Sequence, residues 1–235
     1  EKERKRKRKR KKETEEERKM SRFQPYENNG GTCVAVAGEG FCVIAADTRM
    51  SNGYSIETRD HPRVFKLTDK CVLATSGCQT DFVTLIKVLR TRIKMYEHQH
   101  GKIPSCTAIA QLLSNTLYGR RFFPYYAFNV LGGIDEDGKG VAFSYDAVGS
   151  YERVAYSSAG TGEDLVQPLL DNQVGWKDQR LTATKTPLSA AEVVNLVKDS
   201  LTSAGERDIY TGDFADICVV NAEGCAHEKF ELKFD

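Results

Sequence analysis

The segment from Gly30 to Arg49 constrains the fold more than any other part of this chain. Two apolar runs, Thr32 to Ala37 and Phe41 to Ala46, flank the connection Gly38-Glu39-Gly40. This pattern predicts a β-hairpin, because glycine tolerates the positive φ angles of a tight turn. The second strand ends at Asp47-Thr48-Arg49. Charged residues after a buried run are ordinarily a solvated strand end, and by themselves they predict no site.

The hydrophobic period changes several times along the rest of the chain. Apolar residues at helical spacing predict one helix from Thr80 and another from Ser105, and a capping box at Ser189–Glu192 predicts the start of the last helix. Val154 to Ser157 is predicted as one short strand before a turn at 158–162. The order is strands, two helices, strands, two helices, strands. It predicts an α+β fold, an αββα sandwich of two stacked antiparallel sheets.

Composition limits the classes of partner and compartment. The chain has 34 Lys plus Arg and 33 Asp plus Glu, so its net charge of +1 indicates no anionic partner for the protein as a whole. Its seven cysteines are scattered and include no C-x-x-C pair. This pattern predicts reduced, buried thiols in a cytosolic or nuclear protein. No apolar run reaches the roughly 18 residues of a membrane span.

The first 29 residues differ from the remainder. Arg4 to Lys12 are all basic, and four glutamates follow within Glu13 to Glu17. Such a run is either a solvated tail or a signal for nuclear localisation or nucleic-acid contact. We predict a charged tail, either disordered or a lone solvated helix, that continues into an arm whose Phe23 and Tyr26 pack on a neighbour. A single domain is predicted for residues 30–235.

Two other patterns have a binding interpretation and a plainer one. His98 and His100 could bind a metal ion, but they are interpreted as an exposed helix terminus. The cluster from Arg120 to Tyr126 is basic and aromatic, which permits nucleic-acid contact, but it leads directly into a buried strand. We therefore predict no metal, no cofactor, no nucleic acid and no membrane partner.

Gly-Gly-Thr, the hairpin and Ala-Ala-Asp-Thr-Arg together resemble the start of the β-type subunits of the 20S proteasome, which have the N-terminal-nucleophile hydrolase fold. In active members of that family a propeptide is cut before a threonine, whose hydroxyl is the nucleophile. The freed α-amine, with a pKa of about 7.7 to 8.0, is the base. The resemblance places the family's aspartate on Asp47. Counting back along the ungapped hairpin places the nucleophile on Gly31, which has no side chain.

The resemblance also implies positions for the other site residues. The catalytic lysine falls on Arg63, which keeps the charge but is never deprotonated. The serine that helps to hold the N-terminal amine falls on Thr161. The motif Arg-Asp-x-Tyr-Ser-Gly-Gly falls on Arg207 to Asp213, which places its aspartate and serine on Asp208 and Thr211. The site is therefore expected to be vestigial.

The resemblance covers Phe23 to Leu232, and from Arg120 to Tyr151 it is strongest to the non-catalytic subunits at the sixth position of the eukaryotic ring. It implies a structural subunit that assembles with other α and β subunits in the cytoplasm and nucleus. Neighbouring active subunits would then carry out ATP- and ubiquitin-dependent protein degradation. The alternative is an active threonine peptidase, formed by cleavage before Thr32. A shift of one residue turns a strand side chain to the opposite face, so Thr32 is expected to point away from Asp47 and Arg63.

Overall fold

The computed structural model describes residues 24–177 and 186–235, together with the single position Arg4. The predictions for the basic run and for Phe23 therefore lie outside the described residues. Twelve strands and four helices are present in the described part. The strands are β1 Thr32–Ala37, β2 Phe41–Asp47, β3 Met50–Asn52, β4 Ser55–Thr58, β5 Val64–Thr68, β6 Cys71–Gly77, β7 Ala127–Ile134, β8 Gly140–Tyr145, β9 Tyr151–Val154, β10 Tyr156–Gly160, β11 Phe214–Asn221 and β12 Gly224–Glu231. The helices are α1 Gln79–His100, α2 Cys106–Tyr118, α3 Glu163–Gln173 and α4 Ala190–Arg207.

The strands form two antiparallel five-stranded sheets and one short hairpin. The first sheet has the order β10-β1-β2-β11-β12, the second has the order β5-β6-β7-β8-β9, and β3 pairs with β4. The predicted hairpin β1–β2 therefore lies in the middle of the first sheet. Within the described residues, no helix is long and apolar enough to cross a membrane.

Alternating side chains divide the core into three layers. On β1, Val34 and Val36 face α3 and α4, whereas Cys33 and Ala35 face the second sheet. This alternation follows from the two-residue period of a strand. The far face of the second sheet packs against α1 and α2, for example through Leu73 and Leu131. The αββα sandwich is confirmed.

Helices α2 and α4 begin at the residues that their capping patterns indicate. The Ser105 side chain accepts a hydrogen bond from the amide of Ala108, and Ser189 with Glu192 forms a reciprocal capping box. Helix α1 ends at Gly101, whose φ of 65° is the left-handed conformation that glycine adopts readily. These local signals fix the helix ends without help from distant parts of the chain.

The single strand predicted at Val154–Ser157 is wrong. Val154 pairs with Ala142 in the second sheet, whereas Tyr156 pairs with Val36 in the first. The chain therefore passes from one sheet to the other at Ala155. A continuous sequence pattern does not show such a change of partner, because each side is extended and partly apolar.

The prediction that all the cysteines are reduced is also wrong. Cys218 and Cys225 form a disulfide with a Cα–Cα separation of 6.1 Å, whereas Cys33, Cys42, Cys71, Cys78 and Cys106 are free and buried. Cys218 and Cys225 lie diagonally on one face of the β11–β12 hairpin, which brings their Cα atoms within the usual disulfide range. Spacing along the chain did not reveal this pairing.

The arm before the domain packs on the chain itself. The Tyr26 hydroxyl donates to the Pro124 carbonyl at 2.7 Å, and its ring lies 5.6 Å from the rings of Phe123 and Tyr126. Asn29 is buried, and its amide donates to the carbonyl of Gly77. The arm is therefore continuous with the domain at residues 24–29, and the contact of Tyr26 with a neighbour stays a prediction.

Candidate functional site

The candidate site lies where the start of β1 meets the ends of β2 and β6 and the loop after α4. Gly31 immediately precedes β1, and its backbone is buried with a φ of 98°. An ideal Cβ on Gly31 would lie 2.3 Å from Cζ and 2.5 Å from a terminal nitrogen of Arg63. A side chain at residue 31 would therefore point at Arg63, and the guanidinium occupies the space it would need.

Arg63 is fully buried and binds the backbone that leads into the site. Its terminal nitrogens donate to the carbonyl oxygens of Gly30 at 2.7 Å, Asn29 at 3.0 Å and Arg49 at 2.5 Å. Its Nε lies 3.9 Å from Oδ1 of Asp47 and has no hydrogen-bond partner in the described structure. The two terminal nitrogens of Arg63 thus bind three carbonyl oxygens, a geometry that suits the planar guanidinium better than a single ammonium group.

Asp47 links the first two strands to the loop after α4. Its carboxylate accepts hydrogen bonds from the amides of Thr32 at 2.8 Å and Gly212 at 3.3 Å. Burial raises the pKa of Asp47 to about 6, although Arg63 and the two amides favour the charged form. The carboxylate is thus a fully buried structural acceptor.

Asp208 is the centre of a second set of hydrogen bonds. One of its carboxylate oxygens accepts from the hydroxyls of Thr161 at 2.6 Å and Thr211 at 2.7 Å, and the other accepts from the amide of Tyr210. The amide of Thr161 donates to the carbonyl of Gly31 at 3.0 Å. The structure therefore brings Asp47, Arg63, Thr161, Asp208 and Thr211 together around Gly31.

Thr32 presents its side chain to a different group of residues. Its hydroxyl shares a hydrogen bond of 2.7 Å with the Thr211 hydroxyl and accepts another, of 2.9 Å, from the amide of Gly162. The residue is fully buried. Thr32 contacts Asp47 only through its backbone amide, and its side-chain hydrogen bonds go to Thr211 and Gly162 rather than to Arg63.

Cys33 is a potential nucleophile that no sequence pattern indicates. It lies close enough to Arg63 and Asp47 for both charges to affect its pKa. Burial raises its pKa to about 12, against the opposing effect of Arg63. The thiol is therefore neutral near pH 7 and is a poor nucleophile.

A network of ion pairs around Arg49 was also not predicted from the sequence. Its guanidinium binds Asp213 at 2.8 Å, and Asp213 also binds Arg59 at 2.5 Å. Asp213 has a φ of 66°, so this network holds the loop after α4 in a conformation that is uncommon for a residue with a side chain. The only feature of the sequence that could have indicated this network is Arg49 itself, two positions after Asp47.

A cavity of about 240 Å³ opens beside Gly31, and Ser76 and Thr161 contribute to its wall. His98 and His100 do not line this cavity. The ring of His100 instead stacks on that of Tyr96, with ring centroids 4.2 Å apart. No group of three or more potential metal ligands occurs among the described residues.

Comparison with known proteins gives one consistent result. A family model described as "Proteasome subunit" matches residues 27–220. "Proteasome subunit beta type-1" of Petunia hybrida is 58% identical over 221 residues, which cover 93% of this chain and 99% of that protein. The Dictyostelium discoideum protein with the same name is 59% identical over 215 residues, 91% of each chain. "Proteasome subunit beta type-6" of Saccharomyces cerevisiae is 43% identical over 222 residues, 91% of this chain and 92% of the yeast protein.

Proposed function

This chain belongs to the β-type subunits of the proteasome family, and we propose that it is a non-catalytic structural subunit of the β ring of a 20S core particle. It would help to form the proteolytic chamber and position its neighbours, while active subunits hydrolyse the substrate. The relatives named above carry proteasome subunit names, which supports partners among the other α and β subunits. The expected compartments are the cytoplasm and the nucleus.

The observation that carries the proposal is the relation between Gly31 and Arg63. Residue 31 has no side chain, and the space into which one would point is filled by the guanidinium. A peptidase of this type needs a hydroxyl and a free α-amine on the same residue. Here residue 31 supplies no hydroxyl, and Arg63 binds the carbonyl oxygens of Gly30 and Asn29.

The alternative activity, with Thr32 as nucleophile, has less support. The Thr32 hydroxyl is engaged by Thr211 and by the amide of Gly162, on the side of β1 that faces the helices. Using it would require the loss of both hydrogen bonds and a new position for the start of β1. The retained aspartates therefore stabilise the fold around Gly31 rather than a reacting group.

The test is to isolate assembled particles through a tag on this chain and treat them with a threonine-directed electrophile. We expect the chain to copurify with other proteasome subunits, and we expect label on active neighbours but none on this chain. Peptide mapping and N-terminal sequencing supply the readout. Labelled Thr32, or a chain that begins at Thr32, would establish the alternative instead.

A further inference from the structure

Two cysteine side chains face each other in the core between the second sheet and the helical layer. Cys71 is the first residue of β6, and Cys106 is the first residue of α2. The Cys106 thiol donates a hydrogen bond to the sulfur of Cys71, and the two sulfur atoms lie 3.2 Å apart. Both residues are buried. The fold thus brings two thiols into contact that are 35 positions apart in the chain.

This contact distinguishes the pair from the other free cysteines. Among the described residues, Cys71 and Cys106 are the only free thiols joined by a sulfur–sulfur hydrogen bond. Cys78, which is equally close to the start of a helix, has its sulfur 3.3 Å from the Thr80 hydroxyl instead. Burial or a place near a helix end therefore does not by itself bring two sulfurs together.

The geometry is close to that of a disulfide. The two sulfurs need to approach by about 1.2 Å to reach the bond length of about 2.05 Å, which small rotations of two short side chains can supply. The bond would join the second sheet to the helical layer, and the loop that it closes would contain all of α1. A loop of this length restricts the unfolded chain more than the short loop between Cys218 and Cys225.

A cavity of about 330 Å³ gives access to one of the two thiols. Cys106 contributes to its wall together with the polar residues Lys70, Ser105 and Asp135, whereas Cys71 does not line it. Hydrogen peroxide is small and both donates and accepts hydrogen bonds, so a partly polar cavity of this volume can hold it. Cys106 is therefore the thiol that the peroxide meets first.

Cys71 is suited to a second step. Burial raises its pKa well above the ordinary value, and the hydrogen bond with Cys106 acts in the same direction. Cys71 therefore keeps its proton near pH 7, which makes it a weak nucleophile towards a molecule in solution. Its contact with the Cys106 sulfur offsets this weakness, because the two reacting atoms are already adjacent.

We propose that Cys71 and Cys106 form a redox site, at which hydrogen peroxide converts the two thiols into a disulfide. The Cys106 sulfur first attacks one peroxide oxygen; the O–O bond breaks, a sulfenic acid forms, and the thiol proton leaves with the other oxygen as water. The Cys71 sulfur then attacks the Cys106 sulfur; the S–S bond forms, the S–O bond breaks, and the hydroxide leaves as water with the Cys71 proton. The two thiols lose two electrons, and the peroxide is reduced to water. This inference goes beyond the proposed function, because it does not depend on assembly or on peptidase activity.

The experiment treats the reduced, folded, full-length chain with hydrogen peroxide. The background is Cys225→Ser, so that the disulfide in the β11–β12 hairpin cannot contribute. The protein is then unfolded, its remaining thiols are alkylated with N-ethylmaleimide, and its peptides are mapped by mass spectrometry. We expect a peptide pair linked through Cys71 and Cys106, with Cys33, Cys42 and Cys78 alkylated. The thermal midpoint of the oxidised chain should rise by roughly 10 °C, because the crosslink closes a long loop.

Three substitutions test the order of the steps. With Cys71→Ser the reaction should stop at the sulfenic acid of Cys106, which dimedone labels. With Cys106→Ser neither the link nor the dimedone label should form. The matched control is Cys78→Ser, a buried cysteine beside a helix start that has no facing thiol, and here the Cys71–Cys106 link should form as in the unsubstituted chain. The thermal midpoint of each reduced variant shows whether it folds.

The chain without these three substitutions decides the proposal even if a variant does not fold. Alkylation of both Cys71 and Cys106 after peroxide treatment of the folded chain would overturn it. A link that formed only after unfolding, together with random links to the other cysteines, would overturn it as well. Dimedone on Cys71 in the Cys106→Ser variant would refute the assignment of Cys106 as the first thiol to react.

Discussion

The guanidinium of Arg63 lies where the side chain of residue 31 would otherwise be, and a Cβ on Gly31 would approach its Cζ to 2.3 Å. The two residues are therefore complementary: the glycine makes room for the arginine, and the arginine binds the carbonyl of Gly30. This relationship explains how the chain can retain the surrounding aspartates and hydroxyls without a reacting side chain.

The first prediction concerns Gly31→Ala. We expect a loss of roughly 2–4 kcal/mol in the free energy of unfolding, from overpacking against Arg63 and from a positive φ with a side chain. The matched control is Gly40→Ala, which has a φ of 78° but no atom within 4 Å of the added Cβ. Urea unfolding of the purified variants gives the comparison, and equal losses at the two glycines would contradict the steric explanation.

The second prediction is that Gly31→Thr does not create peptidase activity. The added hydroxyl would lie against the Arg63 guanidinium, which cannot take up a proton, and the backbone before residue 31 would remain in place. Fluorogenic peptides with particles that contain the variant provide the measurement. Hydrolysis that depended on this single substitution would show that Arg63 can replace the lysine of active subunits.

The third prediction concerns pH and Asp47. Because burial raises its pKa from 3.8 to about 6, the folded state retains a proton that the unfolded state has already lost. The contribution of this group to stability is therefore fully present below pH 3.8 and is lost as the pH rises to about 6, by an amount on the order of 3 kcal/mol. In Asp47→Asn this component of the pH dependence should disappear.

The control for this measurement is Asp69→Asn, because Asp69 is exposed and Lys66 lowers its pKa instead. Its removal should leave the slope between pH 4 and pH 6 nearly unchanged. Chemical unfolding at a series of pH values measures both variants. An identical slope in Asp47→Asn and wild type would show that Asp47 is not the group responsible.

The fourth prediction concerns the disulfide between Cys218 and Cys225. Its loop is short, so reduction or Cys225→Ser is expected to cost about 2 kcal/mol of stability, in the lower part of the usual range. Alkylation followed by mass spectrometry before and after reduction identifies the bond. Free Cys225 in protein purified without reductant would contradict its presence.

The fifth prediction concerns residues 1–19. A truncation that begins at Met20 should change the distribution between nucleus and cytoplasm and leave assembly intact, because this segment has no apolar side chains for a core. Fluorescence microscopy and native gels provide the two readouts. Loss of assembly at low salt would indicate that the basic residues bind the ring electrostatically.

Local sequence patterns were sufficient for most of the helices and strands, but not for the strands on either side of Ala155. Each of these patterns depends on residues that are close together in the chain. Examples are the alternation of side-chain direction from Cys33 to Val36, the capping box at Ser189 and the helical spacing of apolar residues on α1. The site positions came from the resemblance together with counting along one ungapped hairpin. The predictions for the layered fold therefore needed no long-range information.

Contacts between distant residues depended on the tertiary structure. The sequence offered Arg63 as an altered lysine, but only packing placed its guanidinium against Gly31 and its fork on three carbonyls, 14 to 34 residues away. The change of sheet at Ala155 and the Arg49–Asp213 pair also depend on packing between distant parts of the chain, whereas the disulfide joins two residues seven positions apart in one hairpin. The energies of the long-range contacts depend on side chains that only the folded chain brings together, and no local period encodes them.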